Sequence, residues 1–304
     1  MAKGGGMKQR GQYIVAVLSI GFLRLLPFSI AVWIGKQLGT LYYLLDRRHR
    51  KIATDNVALG FGKEKSDRQR RDIVIGSFQG LGQTFAEFVC LPKRAKRPNP
   101  DMEPWVAIDG FEHYLAAHKE NRGVLLLTAH FGNWELIPYA FSLRGFPMHA
   151  VFRPLDNPYL NRWLRQLRER MGTTVLDKRV AAAQIIPLLR QGEMVAILLD
   201  QKTQDADAVF VDYFGRPAAT HKGLALLALR TGAQVLPVFM IREGGRHRMI
   251  IEKGIQVTRT GVLSHDIAEA TALFTRKIES YVRQYPNLWL WVHRRWKNSQ
   301  QQSK

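Results

Sequence analysis

Cysteine is almost missing from this sequence: Cys90 is the single one among 304 residues. That excludes an internal disulfide framework and any thiolate-rich zinc or iron–sulfur site, and it makes the cytosolic side the natural setting. Cys90 sits among Phe88, Val89 and Leu91 and reads as a small buried apolar residue, not a nucleophile. Several signature motifs are missing as well. The chain holds no G-x-S-x-G elbow, no G-x-x-x-x-G-K-[ST] phosphate loop, no H-E-x-x-H and no G-x-G-x-x-G, so the common serine hydrolase, NTPase, zincin and dinucleotide-binding chemistries lack their groups. Acidic residues are scarce, with Asp plus Glu at 25 against Lys plus Arg at 45, a net charge of +20. An anionic partner is expected, and charge alone attracts nucleic acid, a membrane surface or a phosphorylated substrate alike.

What remains is ample for a core. The 46% hydrophobic and 23% charged residues are the proportions of a folded chain, and at about 150 residues per domain the length suggests one large domain or two ordinary ones. Tyr13 to Ile34 forms a membrane-length apolar run with one charge, Arg24. As a helix it would reach roughly 33 Å, close to the hydrocarbon thickness of a bilayer, so residues 1–45 are expected to form a lead and a hydrophobic membrane-anchor helix. The rival is a kinked, half-inserted helix, because a central arginine costs about 2.5–3.5 kcal/mol and Pro27 removes a helix donor. A cleaved signal peptide fits worse, since the run is long and no small-x-small site follows it. Leu38–Leu45 then leads into Asp46-Arg47-Arg48-His49-Arg50-Lys51. This basic cluster places the main body, residues 46–304, on the cytoplasmic side by the positive-inside rule, and would attract anionic headgroups at about 1 kcal/mol per charge.

The body alternates β-rich runs with helix-period stretches, the pattern of an α/β domain. Candidate strands are 124–128, 148–152, 195–199, 235–241 and 249–257. Candidate helices are 157–171, 179–190, 222–231 and 266–284, with 52–104 mainly helical and 92–104 a connecting loop. The strand Val124–Thr128 runs into Ala129-His130-Phe131-Gly132-Asn133-Trp134-Glu135. Polar residues at a strand's carboxyl end matter, because open α/β sheets bind ligands there. On one continuous helix His130 and Glu135 would diverge by roughly 140°, so they can pair only across a bend, which Gly132 permits. A carboxylate on one imidazole nitrogen leaves the other free to accept a proton from a hydroxyl near neutral pH. The alternative is a polar turn residue followed by an ordinary acid at a helix amino terminus. With no nucleophile in the motif, direct transfer from an activated carbonyl to a substrate hydroxyl is the natural reaction.

His130-Phe-Gly-Asn-Trp-Glu135 resembles the H-x4-[DE] block of the lysophospholipid acyltransferase superfamily, in the H-x-G-N-W-E form of the bacterial lipid A late acyltransferases, the lauroyl and myristoyl transferase family. Val151-Phe152-Arg153-Pro154 with Asn157 is similar to that family's second block, Asp200-Gln201 to its third, and Phe214-Gly215-Arg216-Pro217-Ala218-Ala219-Thr220 to its F-F-G-x-x-A-x-T segment, with Tyr213 in place of the first phenylalanine. Pro286 to Lys297 resembles its closing W-x-W-x-H-R-R-[FW]-K run. The resemblance spans nearly the whole chain. It implies an α/β fold with a central mixed sheet flanked by helices, similar to glycerolipid acyltransferases, and O-acyl transfer without a covalent acyl-enzyme, metal or cofactor. The donor it implies is an acyl carrier protein thioester and the acceptor a lipid A precursor, at the inner membrane and without nucleic acid. Acyl transfer from coenzyme A to another glycolipid or lysophospholipid, such as phosphatidylinositol mannoside, is the near alternative; a noncatalytic binder of anionic membrane or nucleic acid is the distant one.

On this reading His130 and Glu135 are the catalytic pair. Asn133, Arg153, Asp200 and Gln201 are the candidate substrate-binding residues. Arg153 follows a strand and could meet phosphate or developing negative charge, or be an exposed strand-end cation. Asp200 could orient Arg153 or a hydroxyl, or cap a turn. Asn133 could donate to a thioester oxygen, or cap the following helix. Trp289, Trp291 and Trp296, beside His293, Arg294 and Arg295, fit headgroup depth or a core with a solvated basic rim. Lys93-Arg94-Ala95-Lys96-Arg97 could meet an acidic carrier protein, anionic lipid or only solvent.

Overall fold

The computed structural model describes residues 6–95, 105–177, 181–203 and 205–296, without side chains at 92–95, 181–182 and 205. Four helices come first: α1 Met7–Leu25, α2 Phe28–Leu45, α3 Arg47–Phe61 and α4 Asp67–Ala95. The expected anchor is therefore broken. Its residues divide at Leu26 and Pro27, the proline standing just before α2, and no helix among the described residues is long and apolar enough to cross a membrane. The charge that disfavours a span has a protein partner instead, since Arg24 Nε donates to the Val89 carbonyl at 2.6 Å. Helix α2 lies against α4 through small residues: a Cβ on Gly39 would stand 2.2 Å from the Phe78 carbonyl oxygen, and one on Gly82 2.0 Å from that of Gly35.

The remainder alternates strand and helix as β1 Val106–Asp109, α5 Phe111–Lys119, β2 Val124–Thr128, α6 Leu136–Ser142, β3 Met148–Phe152, α7 Pro158–Glu169, β4 Thr173–Asp177, α8 Ala181–Arg190 and β5 Met194–Leu198. The hairpin β6 Ala208–Asp212 and β7 Pro217–His221 follows, then α9 Gly223–Thr231, β8 Gln234–Glu243, β9 Arg246–Ile251 and α10 Leu263–Gln284. Seven strands form one sheet in the order β1-β9-β8-β2-β5-β3-β4. Pairing from β8 through β4 is parallel and β8–β9 is antiparallel, so the sheet is mixed. Helices flank it, and the α/β expectation holds. Strand β2 lies between β5 and β8 with all five residues buried, Leu125 and Leu127 in one core and Val124 and Leu126 in the other. A strand covered on both faces needs such a continuous apolar run.

Local chemistry sets the helix starts. Asp46 caps α3 by accepting from the His49 backbone N–H at 2.9 Å, and Asn157 caps α7 by accepting from Tyr159 and Leu160 at 3.1 and 3.3 Å. The Asn157 side chain also donates to the Gln9 carbonyl at 2.8 Å, which ties α1 to α7. The connecting segment expected at 92–104 is helical through Ala95, and residues 96–104, with Lys96 and Arg97, lie outside the described residues, as do the side chains of Lys93 and Arg94.

Candidate active site

Strands β2 and β5 are parallel neighbours with Thr128 opposite Leu198. The Leu199 N–H donates to the Thr128 carbonyl at 3.1 Å, so the pairing continues past both strand ends. Two residues further along each chain stand His130 and Asp200. The imidazole Nδ1 lies 2.9 Å from Asp200 Oδ1, and Asp200 Oδ2 accepts from the Trp289 indole N–H at 2.9 Å. Asp200 is 3% exposed. Burial opposes its ionisation, but the His130 imidazole and the indole donor prevail and hold its carboxyl below the ordinary carboxylate range. An ionised Asp200 can only accept, which assigns the proton to Nδ1 of His130 and leaves Nε2 as the acceptor nitrogen. The Gln201 amide nitrogen lies 3.3 Å from Nδ1 and 3.4 Å from Nε2, and the Trp134 ring meets the imidazole edge-on at 5.1 Å.

Glu135 does not occupy the place expected for it. It stands at the start of α6, where it accepts from Arg168 of α7 at 2.5 Å (Nη2 to Oε1) and 3.1 Å (Nε to Oε2). Among the described residues no hydrogen bond joins it to His130. A guanidinium offers a carboxylate two charge-assisted bonds where a neutral imidazole offers one, so Arg168 is the stronger partner. That guanidinium also lies 3.7 Å over the Phe152 ring.

The loop carrying His130 is held from two sides. From the carboxyl-terminal segment, the Leu290 N–H donates to the His130 carbonyl at 3.0 Å, and the Leu288 carbonyl accepts from Gly132 at 2.8 Å. From α4, Thr84 Oγ1 donates to the Gly132 carbonyl at 3.1 Å and Glu87 accepts from the Asn133 amide at 2.7 Å. Gly132 has φ +56°, and a Cβ there would lie 1.7 Å from the Met240 carbonyl oxygen, so glycine is required. Glu87 is buried with Arg242 bonded to it and the His247 ring 3.2 Å away. Burial raises its pKa, but these two neighbours bring it below the ordinary value. Asn133 is fully buried in this network.

Arg153 is not brought to His130. Its side chain is 81% exposed, 3.9 Å from Asp156, at the carboxyl end of β3. The terminal aromatic block also departs from headgroup depth: Trp289, Trp291 and Trp296 are core residues. Arg295 is buried with them, donating to the Ala219 carbonyl at 2.8 Å and to Thr220 Oγ1 at 2.5 Å, with its guanidinium 5.1 Å from the Tyr213 ring centroid. The segment is fixed by Asn56, whose amide donates to the Trp291 and His293 carbonyls at 2.7 and 2.6 Å. His293 Nε2 accepts from the Lys202 N–H at 2.9 Å, and burial pushes its pKa below the usual histidine value. Among the described residues no group of three or more His, Cys, Asp or Glu is placed to hold a metal ion.

Residues 8–298 match the family model described as bacterial lipid A biosynthesis acyltransferase. The chain is 30% identical to the lipid A biosynthesis lauroyltransferase of Escherichia coli, over 94% of this chain and 92% of that protein. It is 26% identical to the palmitoleoyltransferase (90% and 86% covered) and 24% identical to the myristoyltransferase (91% and 84% covered) of the same organism. The fold and these matches make the chain an acyltransferase. It belongs to the bacterial lipid A biosynthesis acyltransferase family.

Proposed function

We propose that the protein transfers a fatty acyl chain from an acyl carrier protein thioester to a hydroxyl of a lipid A precursor, with His130 as general base. The observation that carries this reading is the His130–Asp200–Trp289 relay at the carboxyl ends of β2 and β5. His130 Nε2 takes the proton of the acceptor hydroxyl as its oxygen attacks the thioester carbonyl carbon. Asp200 holds the ring in one tautomer and stabilises the imidazolium that forms. When the tetrahedral intermediate collapses, the carbon–sulfur bond breaks and the imidazolium returns its proton to the leaving thiolate. One ester is made, one thioester is lost, and no acyl-enzyme is formed. Among the described residues the side chains bonded to or stacked on His130 are Asp200, Gln201 and Trp134; none is a hydroxyl or thiol, and both Asp200 oxygens are engaged by His130 and Trp289.

The remaining residues support this reaction in different ways. Gln201 is placed to donate to a substrate oxygen beside the imidazole. Asn133 keeps the His130 loop on α4. The Glu135–Arg168 pair forms a charged wall beside the loop and joins α6 to α7. Arg153, exposed at the end of the strand next to β5, is available to an anionic group of the acceptor at the rim.

The protein works at the inner membrane, lying on its cytoplasmic face and not spanning it. Ile14, Leu18, Phe22 and Leu25 are exposed along one face of α1, and Ile30, Trp33, Leu41 and Leu44 along α2. Spacings of three, four and their sums put each set on one stripe, the pattern of helices lying in an interface. The testing experiment is incubation of the purified protein with acyl carrier thioesters of several chain lengths and tetraacylated precursor, followed by mass spectrometry of the lipids. A mass gain of one acyl group supports the reading; unchanged precursor with every donor refutes it.

A further inference from the structure

Between α3 and the beginning of α4 lies a cleft of about 500 Å³ lined by Arg47, Arg50, Lys51, Arg70, Arg71 and one acid, Asp67. It shares no residue with the His130 site. Three of its cations have work within the fold. Arg50 donates to the Tyr43 and Leu44 carbonyls at 3.0 and 2.9 Å, closing the end of α2. Arg70 bonds the Gly62 and Lys65 carbonyls and Asp67, and Lys51 lies 3.0 Å from Asp55. Arg47 and Arg71 have no partner among the described residues, and each comes from a different wall. Two free guanidinium forks lining one cleft suit the oxygens of a phosphate.

The surroundings identify the rest of the ligand. Leu41, Leu44 and Leu45 are exposed, the last two at 56% and 72%, and Tyr43 of the same helix lines the cleft. An acidic protein would satisfy the arginines and leave the leucines in water. A molecule joining phosphate to hydrocarbon satisfies both. We propose that this cleft binds the phosphate headgroup of an anionic membrane lipid whose chains lie along α2. The proposal rests on the membrane-facing reading of α1 and α2 and adds to it a discrete headgroup site apart from the catalytic centre.

The test is vesicle co-sedimentation of the full chain, without acyl donor, on phosphatidylcholine alone and on phosphatidylcholine mixed with phosphatidylglycerol. The double variant R47Q/R71Q is compared with K119Q/K253Q, which removes equal charge from exposed positions outside the cleft, and circular dichroism checks that both fold. The expected result is a loss of about thirtyfold in the preference for phosphatidylglycerol in R47Q/R71Q, at about 1 kcal/mol for each of the two arginines. K119Q/K253Q should keep that preference, and inorganic phosphate at matched ionic strength should not displace the protein. Equal losses in both variants mean diffuse attraction and overturn the site. Full displacement by inorganic phosphate identifies a free-phosphate site and overturns the lipid assignment. Intact vesicle binding in R47Q/R71Q with impaired transfer from carrier thioesters assigns the cleft to the carrier protein and likewise overturns it. Wild-type protein that ignores both vesicle types defeats the membrane-facing reading itself, whereas equal binding of both types defeats only the headgroup site. His130→Ala should bind as wild type does.

Discussion

Two carboxylates compete for the role of orienting His130, and the residue scale separates them. Asp200 touches the imidazole, so Asp200→Asn should lower kcat by about 10²- to 10⁴-fold with little change in KM, because an amide favours the wrong tautomer and cannot balance the imidazolium. Glu135 acts on Arg168. Glu135→Gln and Arg168→Gln should therefore have matching effects on kcat and on thermal stability, and the double variant should lose no more than either alone. Additive losses would show that Glu135 has a separate task at the reacting atoms. His293 gives a pH dependence. Burial holds its folded pKa below the ordinary value of about 6.5, so the unfolded chain takes up the proton first as pH falls. Its contribution to stability is complete above about pH 6.5 and declines as pH falls through that value toward the lower folded pKa. Asp200, also depressed, adds a loss in the same direction at lower pH. His293→Gln, which keeps an acceptor for Lys202, should flatten the fall in thermal midpoint between about pH 7 and pH 5.5.

Glycines decide two contacts between elements. Gly132→Ala would drive a methyl group into the Met240 carbonyl and disfavour the left-handed φ of the loop. A large loss is expected, about 2–4 kcal/mol in denaturant unfolding, together with loss of transfer. Gly39→Ala would separate α2 from α4 and should cost about 1–3 kcal/mol while leaving the His130 relay intact. Strands β2 and β5 are legible in the sequence because continuous apolar runs leave a strong signal, and β3 because its β-favouring residues stand between turn signals. Strand β1 is only four residues long, and β4 opens with two threonines, so neither stands out. His130 is legible from its position after β2, but its carboxylate is not, because Asp200 reaches it through strand register across 70 residues of chain. Sequence spacing favours the local candidate, Glu135, over a partner that only sheet pairing supplies. The tryptophans of the closing segment are ambiguous for another reason. Tryptophan beside arginine suits both an interface and a core, and only the acceptors on Ala219 and Thr220 explain why Arg295 can be buried.

At the scale of the whole molecule, the chain carries a +20 charge and an exposed apolar face on α1 and α2, and the proposed function has the two act together at an anionic membrane. Leu18→Asp combined with Trp33→Asp should leave circular dichroism unchanged, since both side chains are exposed, and should weaken vesicle binding by about tenfold or more through lost apolar burial. Salt should weaken the wild type further but leave a salt-resistant residue due to the apolar face. The relatives carry lauroyl, palmitoleoyl and myristoyl in their names, and chain length is not legible here because it depends on pocket depth. Transfer depends on one imidazole in the assembled protein. Its most direct test is the mass of the lipid product formed by wild type and by His130→Ala from the same carrier thioester and tetraacylated precursor, with folding verified. Wild type should add one acyl group and the folded variant should leave the precursor unchanged; equal product from both would remove His130 from the chemistry.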